Sequence, residues 1–134
     1  MDAVRIKTTP DPMEPFCLSQ AFRIGDMVMV SGQAAITKEG ELAGVGDFHR
    51  QAEQTFANLE EVLEAAGSSL DQVVKVTIYL TDMSHFEDII ALRQKYFSAP
   101  YPADTIVEVS SLALPELEIE IEATALVDGK TVNS

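Results

Sequence analysis

The segment LEIEIEATALV, residues 117–127, alternates apolar and polar side chains without a break. Successive side chains of a β-strand point to opposite faces, so the segment predicts a strand with one apolar and one polar face. The apolar face carries Leu117, Ile119, Ile121, Ala123, Ala125 and Val127, and the polar face carries Glu118, Glu120, Glu122 and Thr124. A strand of this kind belongs in a sheet that packs against a core on one side only.

The best predicted helix, residues 47–66, has an apolar residue at every third or fourth position. Asp47 is a suitable N-cap for it and Gly67 a suitable C′ residue. The other predicted elements are a β-hairpin (20–31) that turns at Gly25-Asp26, a turn (37–41), a strand (73–80), a helix from a Ser84–Glu87 capping box to about Phe97, and a strand (105–111).

This order of elements predicts one α+β domain over residues 1–134. Strand–helix–strand crossovers imply some parallel pairing, and the hairpin implies antiparallel pairing, so the sheet should be mixed. We expect both helices to pack on one face of that sheet. No element remains to cover the other face, and a homo-oligomer that packs its sheet faces together would cover it.

Charge and composition exclude several classes of partner. Nine basic residues face 22 acidic ones, for a net charge of −13, and no basic cluster is present. We therefore expect neither nucleic acid nor an anionic membrane surface as a ligand. No apolar run is long enough to span a bilayer, the N-terminus lacks a secretory apolar region, and Cys17 is the single cysteine. These features predict a cytoplasmic protein.

Few residues stand out as chemical groups. The chain has no phosphate-binding glycine loop, no CxxC pair and no HExxH motif, and His49 and His85 fall on different helices, so we expect no metal site. A lone Cys17 is more often a small buried residue than a nucleophile. The glutamates of the last strand form either a solvated face or, alternatively, the wall of a subunit cleft. In a cleft their mutual repulsion would raise the pKa of the most buried one toward the range of a general base.

Four longer segments share a pattern with a known family. They are LSQAFRIGDMVMVSGQ (18–33), QAEQTFANLEEVLEAAGSSLDQVVKVTIYLTDMSHF (51–86), YFSAPYPA (96–103) and IEIEATA (119–125). Together, and in this order, they resemble the RidA/YjgF family, whose members are also labelled reactive intermediate/imine deaminase A or endoribonuclease L-PSP. The resemblance covers nearly the whole chain.

The resemblance implies a chorismate-mutase-like fold of the small trimeric type, with ligand clefts between the subunits of a homotrimer. Active members hydrolyse 2-imino or enamine acids to 2-keto acids and ammonia, with neither cofactor nor metal. In those members a guanidinium holds the substrate carboxylate, and a glutamate positions or activates water. We therefore expect a small-molecule metabolite as ligand, and no cofactor.

Some family positions are retained in this chain. The family glutamate corresponds to Glu120, and Ser31, Gly32 and Gln33 stand at the end of the strand that borders the cleft. We expect Glu120 to be catalytic and these three residues to contact substrate.

Other family positions are changed. The family arginine corresponds to Asp104, a tyrosine to Leu18, an asparagine to Ile90, a second tyrosine to Arg93 and a cysteine to Ile106. All five are expected at the substrate-binding cleft, with Asp104 as the catalytic partner of Glu120.

The change at Asp104 has the largest expected effect. Like charges about 4 Å apart repel by several kcal/mol at an intermediate dielectric, so Asp104 should disfavour carboxylate substrates. A neutral or cationic C=N compound would then fit better. Alternatively, Asp104 begins its strand and pairs with a basic neighbour. Arg93 lies one helical turn from Ile90 and either forms an ion pair or replaces the missing arginine.

The leading hypothesis is a trimeric RidA-like protein that binds a small imine- or enamine-type metabolite other than a simple 2-imino carboxylate, with hydrolysis of that metabolite as the candidate activity. The alternative is a non-catalytic trimer that binds a small ligand or regulates a partner. A ribonuclease is a third possibility, which the absence of basic patches disfavours.

Overall fold

The computed structural model describes all residues, 1–134. Its strands are β1 (Ala3–Ile6), β2 (Ala21–Ile24), β3 (Met27–Ala34), β4 (Val73–Leu80), β5 (Ala103–Glu108) and β6 (Ile119–Leu126), and its helices are α1 (Phe48–Ala65) and α2 (Phe86–Tyr96). They form one six-stranded sheet in the order β1-β2-β3-β6-β4-β5. The pair β4–β5 is parallel and every other pair is antiparallel. The predicted α+β fold with a mixed sheet is confirmed.

Helix α1 forms as its sequence predicts. The Asp47 carboxylate accepts a hydrogen bond from the Arg50 backbone N–H at 3.1 Å, and Gly67 follows the helix with φ of +84°. The apolar stripe is fully buried, and it comprises Phe48, Ala52, Phe56, Leu59, Leu63 and Ala66. These side chains pack on β3 and β6, and the helix covers the centre of the sheet.

The second helix begins differently from the prediction. The Ser84–Glu87 capping box does not form, because residues Met83–His85 make a 3₁₀ turn and α2 begins only at Phe86. The Asp82 carboxylate caps that turn by accepting a hydrogen bond from the Ser84 backbone N–H at 2.9 Å. The aspartate two positions earlier thus replaces Ser84 as the cap.

Two strand predictions also need correction. Strand β1 was not predicted, and it pairs with β2 at the edge of the sheet. Strand β5 begins at Ala103 and ends at Glu108, whereas the prediction was 105–111. Asp104 therefore lies inside the strand, paired in register with Val76 of β4, rather than before its start.

The alternation of the last strand is confirmed on its apolar side, where every residue from Leu117 to Val127 that was assigned to the core is buried. The polar row is shorter than predicted. The strand begins at Ile119, and Glu118 instead bonds to α1: its backbone N–H donates to the Gln51 side-chain oxygen at 2.8 Å. Only Glu120 and Glu122 remain as neighbouring carboxylates on the outer face.

The face of the sheet opposite the helices has no cover within the chain, and we call it the open face. Its large apolar side chains are between 36% and 55% exposed, and they are Phe22, Met27, Met29 and Val107. Neither helix is long and apolar enough to cross a membrane.

Candidate functional site

Glu120 lies on the open face at the middle of the sheet, where β6 runs between β3 and β4. Its partners in register are Ala34 on β3 and Tyr79 on β4. Its carboxylate lies against Gly32, where an added Cβ would be 2.5 Å from Oε2. Only a glycine leaves room for the carboxylate in this position, so the residue pair Gly32–Glu120 sets where the acid sits.

A β-bulge places Gly32. The register between β3 and β6 shifts between Val30 and Gln33. Ser31 holds the bulge, because its backbone N–H donates to the Gln20 carbonyl at 2.9 Å and its hydroxyl donates to the Ser19 carbonyl at 2.6 Å. Bulges of this kind re-aim the residues of one strand toward a neighbour. The Gln33 side chain is buried and bonds to the Ser31 carbonyl, so it supports the bulge from the helix side.

Burial raises the pKa of Glu120 above that of an ordinary glutamate, and the nearby charge of Glu122 raises it further. The direction agrees with the expectation, although Glu118 has no part in it. Glu122 in turn accepts a hydrogen bond from the Tyr79 hydroxyl at 2.8 Å, and that bond raises the pKa of Tyr79. A half-buried carboxylate with a raised pKa is a stronger base than an ordinary glutamate, which suits it to proton transfer.

The second group of candidate residues lies where α2 passes the edge strand β5. Asp104 projects from the helix face of β5, and its Oδ2 accepts a hydrogen bond from Arg93 Nε at 2.8 Å. Asp104 Oδ1 is buried and has no hydrogen-bond partner. Asp104 is therefore the partner of a basic neighbour, which was one of the two interpretations of this residue.

One chain does not bring Glu120 and Asp104 together. Strand β4 separates their strands, which are about 10 Å apart. The two residues are also offset by three positions along β4, since Asp104 pairs with Val76 and Glu120 with Tyr79, and their side chains leave opposite faces. A direct acidic pair between these two residues does not exist within a protomer. Any site that uses both groups needs residues from two copies of the chain.

Comparison with known proteins identifies the family. The family model described as Endoribonuclease L-PSP matches residues 6–127. The chain belongs to the endoribonuclease L-PSP family. This is the RidA/YjgF family that the sequence resembles.

Individual members of the L-PSP family are similar over most of their length. A RutC family protein of Pyrococcus horikoshii is 40% identical over 92% of this chain and 96% of its own length. A protein of Dermatophagoides farinae named 2-iminobutanoate/2-iminopropanoate deaminase is 31% identical over 96% of this chain and 100% of its own length. The crystal structure of RidA from an Antarctic Psychrobacter is 39% identical, covers 82% of this chain and 88% of that one, and superposes with a TM-score of 0.76.

The remaining positions at which this L-PSP chain departs from the family pattern lie in three different environments. Leu18 is exposed in the loop before β2, one residue from the Ser19 carbonyl that holds the bulge. Ile90 is 41% exposed on α2, beside Arg93. Ile106 packs against the core on the helix side of β5, under the surface rather than on it.

Two features of this L-PSP chain were not singled out in the sequence. Tyr101 is 51% exposed and lines the same hollow as Asp104. In the sequence only the flanking Pro100 and Pro102 indicate that Tyr101 lies in a turn at the surface. Tyr79 reaches Glu122 from the neighbouring strand, and only the register of β4 on β6 shows that contact.

The histidines of this L-PSP chain meet at the start of α2. His85 Nδ1 lies 2.9 Å from the Asp88 carboxylate, which His49 approaches at 3.8 Å from α1. No cluster of three or more histidine, cysteine or acidic side chains has the geometry of a metal site.

Proposed function

We propose that this chain hydrolyses the C=N bond of small imines, and enamines through their imine tautomers, at clefts between the subunits of a homotrimer. The observation that carries the proposal is Glu120: a half-buried carboxylate of raised pKa, set against Gly32 on the uncovered face of the sheet. The relative from Dermatophagoides farinae that is named an iminobutanoate deaminase supports the same chemistry.

The proposed reaction uses water alone as co-substrate. Glu120 takes a proton from a water molecule while the water oxygen forms a bond to the imine carbon, and the C=N pair of electrons moves onto nitrogen. The proton held by Glu120 then passes to that nitrogen. Glu120 then takes the hydroxyl proton of the carbinolamine and passes it to the amine nitrogen as the carbonyl forms and the C–N bond breaks, which releases ammonia and a ketone. A carboxylate whose pKa is raised by burial is suited to both proton transfers.

The arrangement of the chain supports the assembly. Glu120 and the Arg93–Asp104 pair lie on opposite faces of one sheet, so a cleft that contains both requires a second copy. The exposed apolar side chains of the open face, such as Met27 and Met29, favour burial against other copies. A closed ring with each open face turned inward would satisfy both requirements.

The charge of the substrate depends on Asp104. We expected Asp104 to disfavour carboxylate substrates because an unpaired anion at this position would repel them. In the structure the Asp104 carboxylate is paired with Arg93. The two side chains together carry no net charge, so the expected repulsion loses most of its physical basis. We therefore do not carry the expected discrimination against simple 2-imino carboxylates into the proposed function.

The same ion pair favours one alternative function. If Arg93 and Asp104 only satisfy each other, the cleft has no free group to hold a substrate, and the trimer would bind a ligand or regulate a partner without turnover. The family description as an endoribonuclease is a further possibility, against which the net charge of −13 argues because RNA binding requires basic surface.

The test is hydrolysis of freshly generated 2-iminobutanoate and of a neutral imine, followed by ammonia release. We expect turnover that falls by at least about 10²-fold in Glu120→Gln, because the amide cannot accept the proton. Glu60→Gln, on the exposed side of α1, removes the same charge and should leave turnover unchanged.

The outcome separates the candidates. Ligand-induced stabilisation without turnover, and without any effect of Glu120→Gln, would support the binding protein. RNA cleavage that persists after stringent purification would support the ribonuclease. Ammonia release that is equal in wild type and Glu120→Gln would refute the proposed role of Glu120.

A further inference from the structure

A hollow of about 410 Å³ lies at the outer edge of the sheet, between α2 and β5. Its lining residues are Ile90, Arg93, Gln94, Phe97, Tyr101, Pro102 and Asp104. Arg93 is the only basic side chain among the lining residues. The walls are otherwise formed largely by apolar and aromatic groups.

Asp104 has no oxygen to offer a ligand in this hollow. One oxygen accepts the hydrogen bond from Arg93 Nε at 2.8 Å, and the other is sealed from solvent without a partner. Pairing with the guanidinium offsets most of the negative charge that a ligand in the hollow would meet. The Arg93 side chain is also the more exposed of the two, at 24% against 16% for Asp104.

Arg93 keeps most of its hydrogen-bonding capacity. A guanidinium carries five N–H donors in a planar fork, and the bond to Asp104 uses the one on Nε. The terminal Nη groups make no hydrogen bond to the protein, and the side chain is 24% exposed at the hollow. The bond to Asp104 also holds the plane of the fork, which reduces the rotamer freedom that the side chain would lose when it binds.

We propose that Arg93 binds the anionic end of the ligand, so that a guanidinium delivered from helix α2 holds a carboxylate at this site. Two parallel N–H···O bonds to a carboxylate are the strongest contact that this hollow provides. The apolar walls beside it, with Ile90 and Tyr101 largely exposed, suit a short hydrocarbon chain. The ligand class is a small aliphatic carboxylate. Carboxylate binding by Arg93 is independent of any reaction. The inference rests on the proposed function only for the step in which the C=N group of the bound acid reacts at this cleft.

Binding of unreactive probes tests this inference without any turnover. Butanoate and butanamide have nearly the same shape and differ in charge. We expect butanoate to bind with a dissociation constant of roughly 10 mM or tighter, to shift the ¹⁵Nε–H resonance of Arg93, and to bind at least about 10-fold more tightly than butanamide.

Variants on the same helix provide the matched comparison. Arg93→Gln should weaken butanoate binding by at least about 10-fold and leave butanamide binding unchanged. Lys95→Gln removes the same charge two residues away, outside the lining of the hollow, and should affect neither probe. Butanamide binding and the thermal unfolding curve show whether Arg93→Gln has kept its fold.

The inference is overturned if butanoate does not bind, if butanamide binds equally well, or if Arg93→Gln and Lys95→Gln behave alike. Its failure is distinguishable from that of the proposed function. Arg93-dependent butanoate binding without imine turnover would leave the inference standing and refute the hydrolase. Turnover with butanoate binding that is insensitive to Arg93→Gln would do the reverse.

Discussion

A glutamate on a solvated sheet face is an ordinary surface residue, and Glu120 differs because the backbone at Gly32 leaves its carboxylate partly enclosed. Burial is the main cause of its raised pKa, and the charge of Glu122 is the second. Substitutions at Gly32 and at Glu122 test the position and the charge environment of this carboxylate separately. Each gives a prediction at the scale of the residue.

Gly32→Ala should displace the Glu120 carboxylate, because the added Cβ would lie 2.5 Å from Oε2. Turnover should fall by about 10²-fold, since misplacing a reacting group by about 1 Å has an effect of that size. Thermal stability should change little, because the end of a flexible side chain can move. Gly40→Ala is the opposite control: Gly40 has φ of +82° and open space around it, so stability should fall by about 1 kcal/mol with turnover intact. Full activity in Gly32→Ala would contradict the proposed placement.

Glu122→Gln should lower the pKa of Glu120 and move the acidic limb of the pH–rate profile to lower pH. Turnover requires ionised Glu120 and therefore rises with pH through its pKa, and removing a like charge makes ionisation easier. Glu122 lies two residues from Glu120 on the same face of β6, close enough for its charge to act on the Glu120 carboxylate. Glu60→Gln should leave the limb in place. A shift to higher pH would show that repulsion from Glu122 does not act on the catalytic group.

Local sequence rules gave a wrong answer for two short elements, the turn before α2 and the edge strand β1. Ser84 and Glu87 have the spacing of a capping box, but a capping residue works only if the helix begins directly after it. Here a 3₁₀ turn intervenes, and Asp82 serves as the cap. Strand β1 is a similar case, since four residues at a sheet edge carry too little pattern to be recognised.

Asp82→Ala should lower the unfolding temperature, whereas Ser84→Ala should lower it much less. The hydrogen bond from the Ser84 backbone N–H holds the pKa of Asp82 below its ordinary value of 3.8. The ionised carboxylate therefore stabilises the fold above about pH 3.8, and this contribution is lost as the pH falls through the lowered pKa. Thermal scans at pH 7 and near pH 2 should show a difference from wild type that closes at the lower pH. Equal effects of the two substitutions at pH 7 would restore Ser84 as the cap.

At the scale of the molecule, the open face and the divided site lead to the same expectation. The exposed methionines of the open face and the carboxylate at its centre lie on the surface that the proposed trimer would cover. The acid and the arginine lie on opposite sides of that sheet, so assembly and activity should be lost together.

Met29→Glu places a charge on the open face and should dissociate the proposed trimer into folded chains of 14.6 kDa that lack turnover. Met29 is 55% exposed in the single chain, so the substitution should leave the protomer folded. Sedimentation and circular dichroism measure these two properties separately. Ala57→Glu, on the exposed side of α1, adds the same charge and should remain assembled and active. An assembled and active Met29→Glu protein would remove the open face from the interface.

The sequence by itself determined the long elements of this protein. The stripe of α1, the alternation of β6 and the turn at Gly25-Asp26 are periodic or local signals, and a dozen or more residues of pattern outweigh any single contact. It also pointed to Glu120 and to the change at Asp104. Tertiary structure decided which groups these residues meet. Three contacts join distant parts of the chain. They are the hydrogen bond between Glu118 and Gln51, the contact of Gly32 with Glu120 at the bulge, and the ion pair of Asp104 with Arg93. Such contacts depend on register and packing between elements, and the pattern within one element carries no information about them.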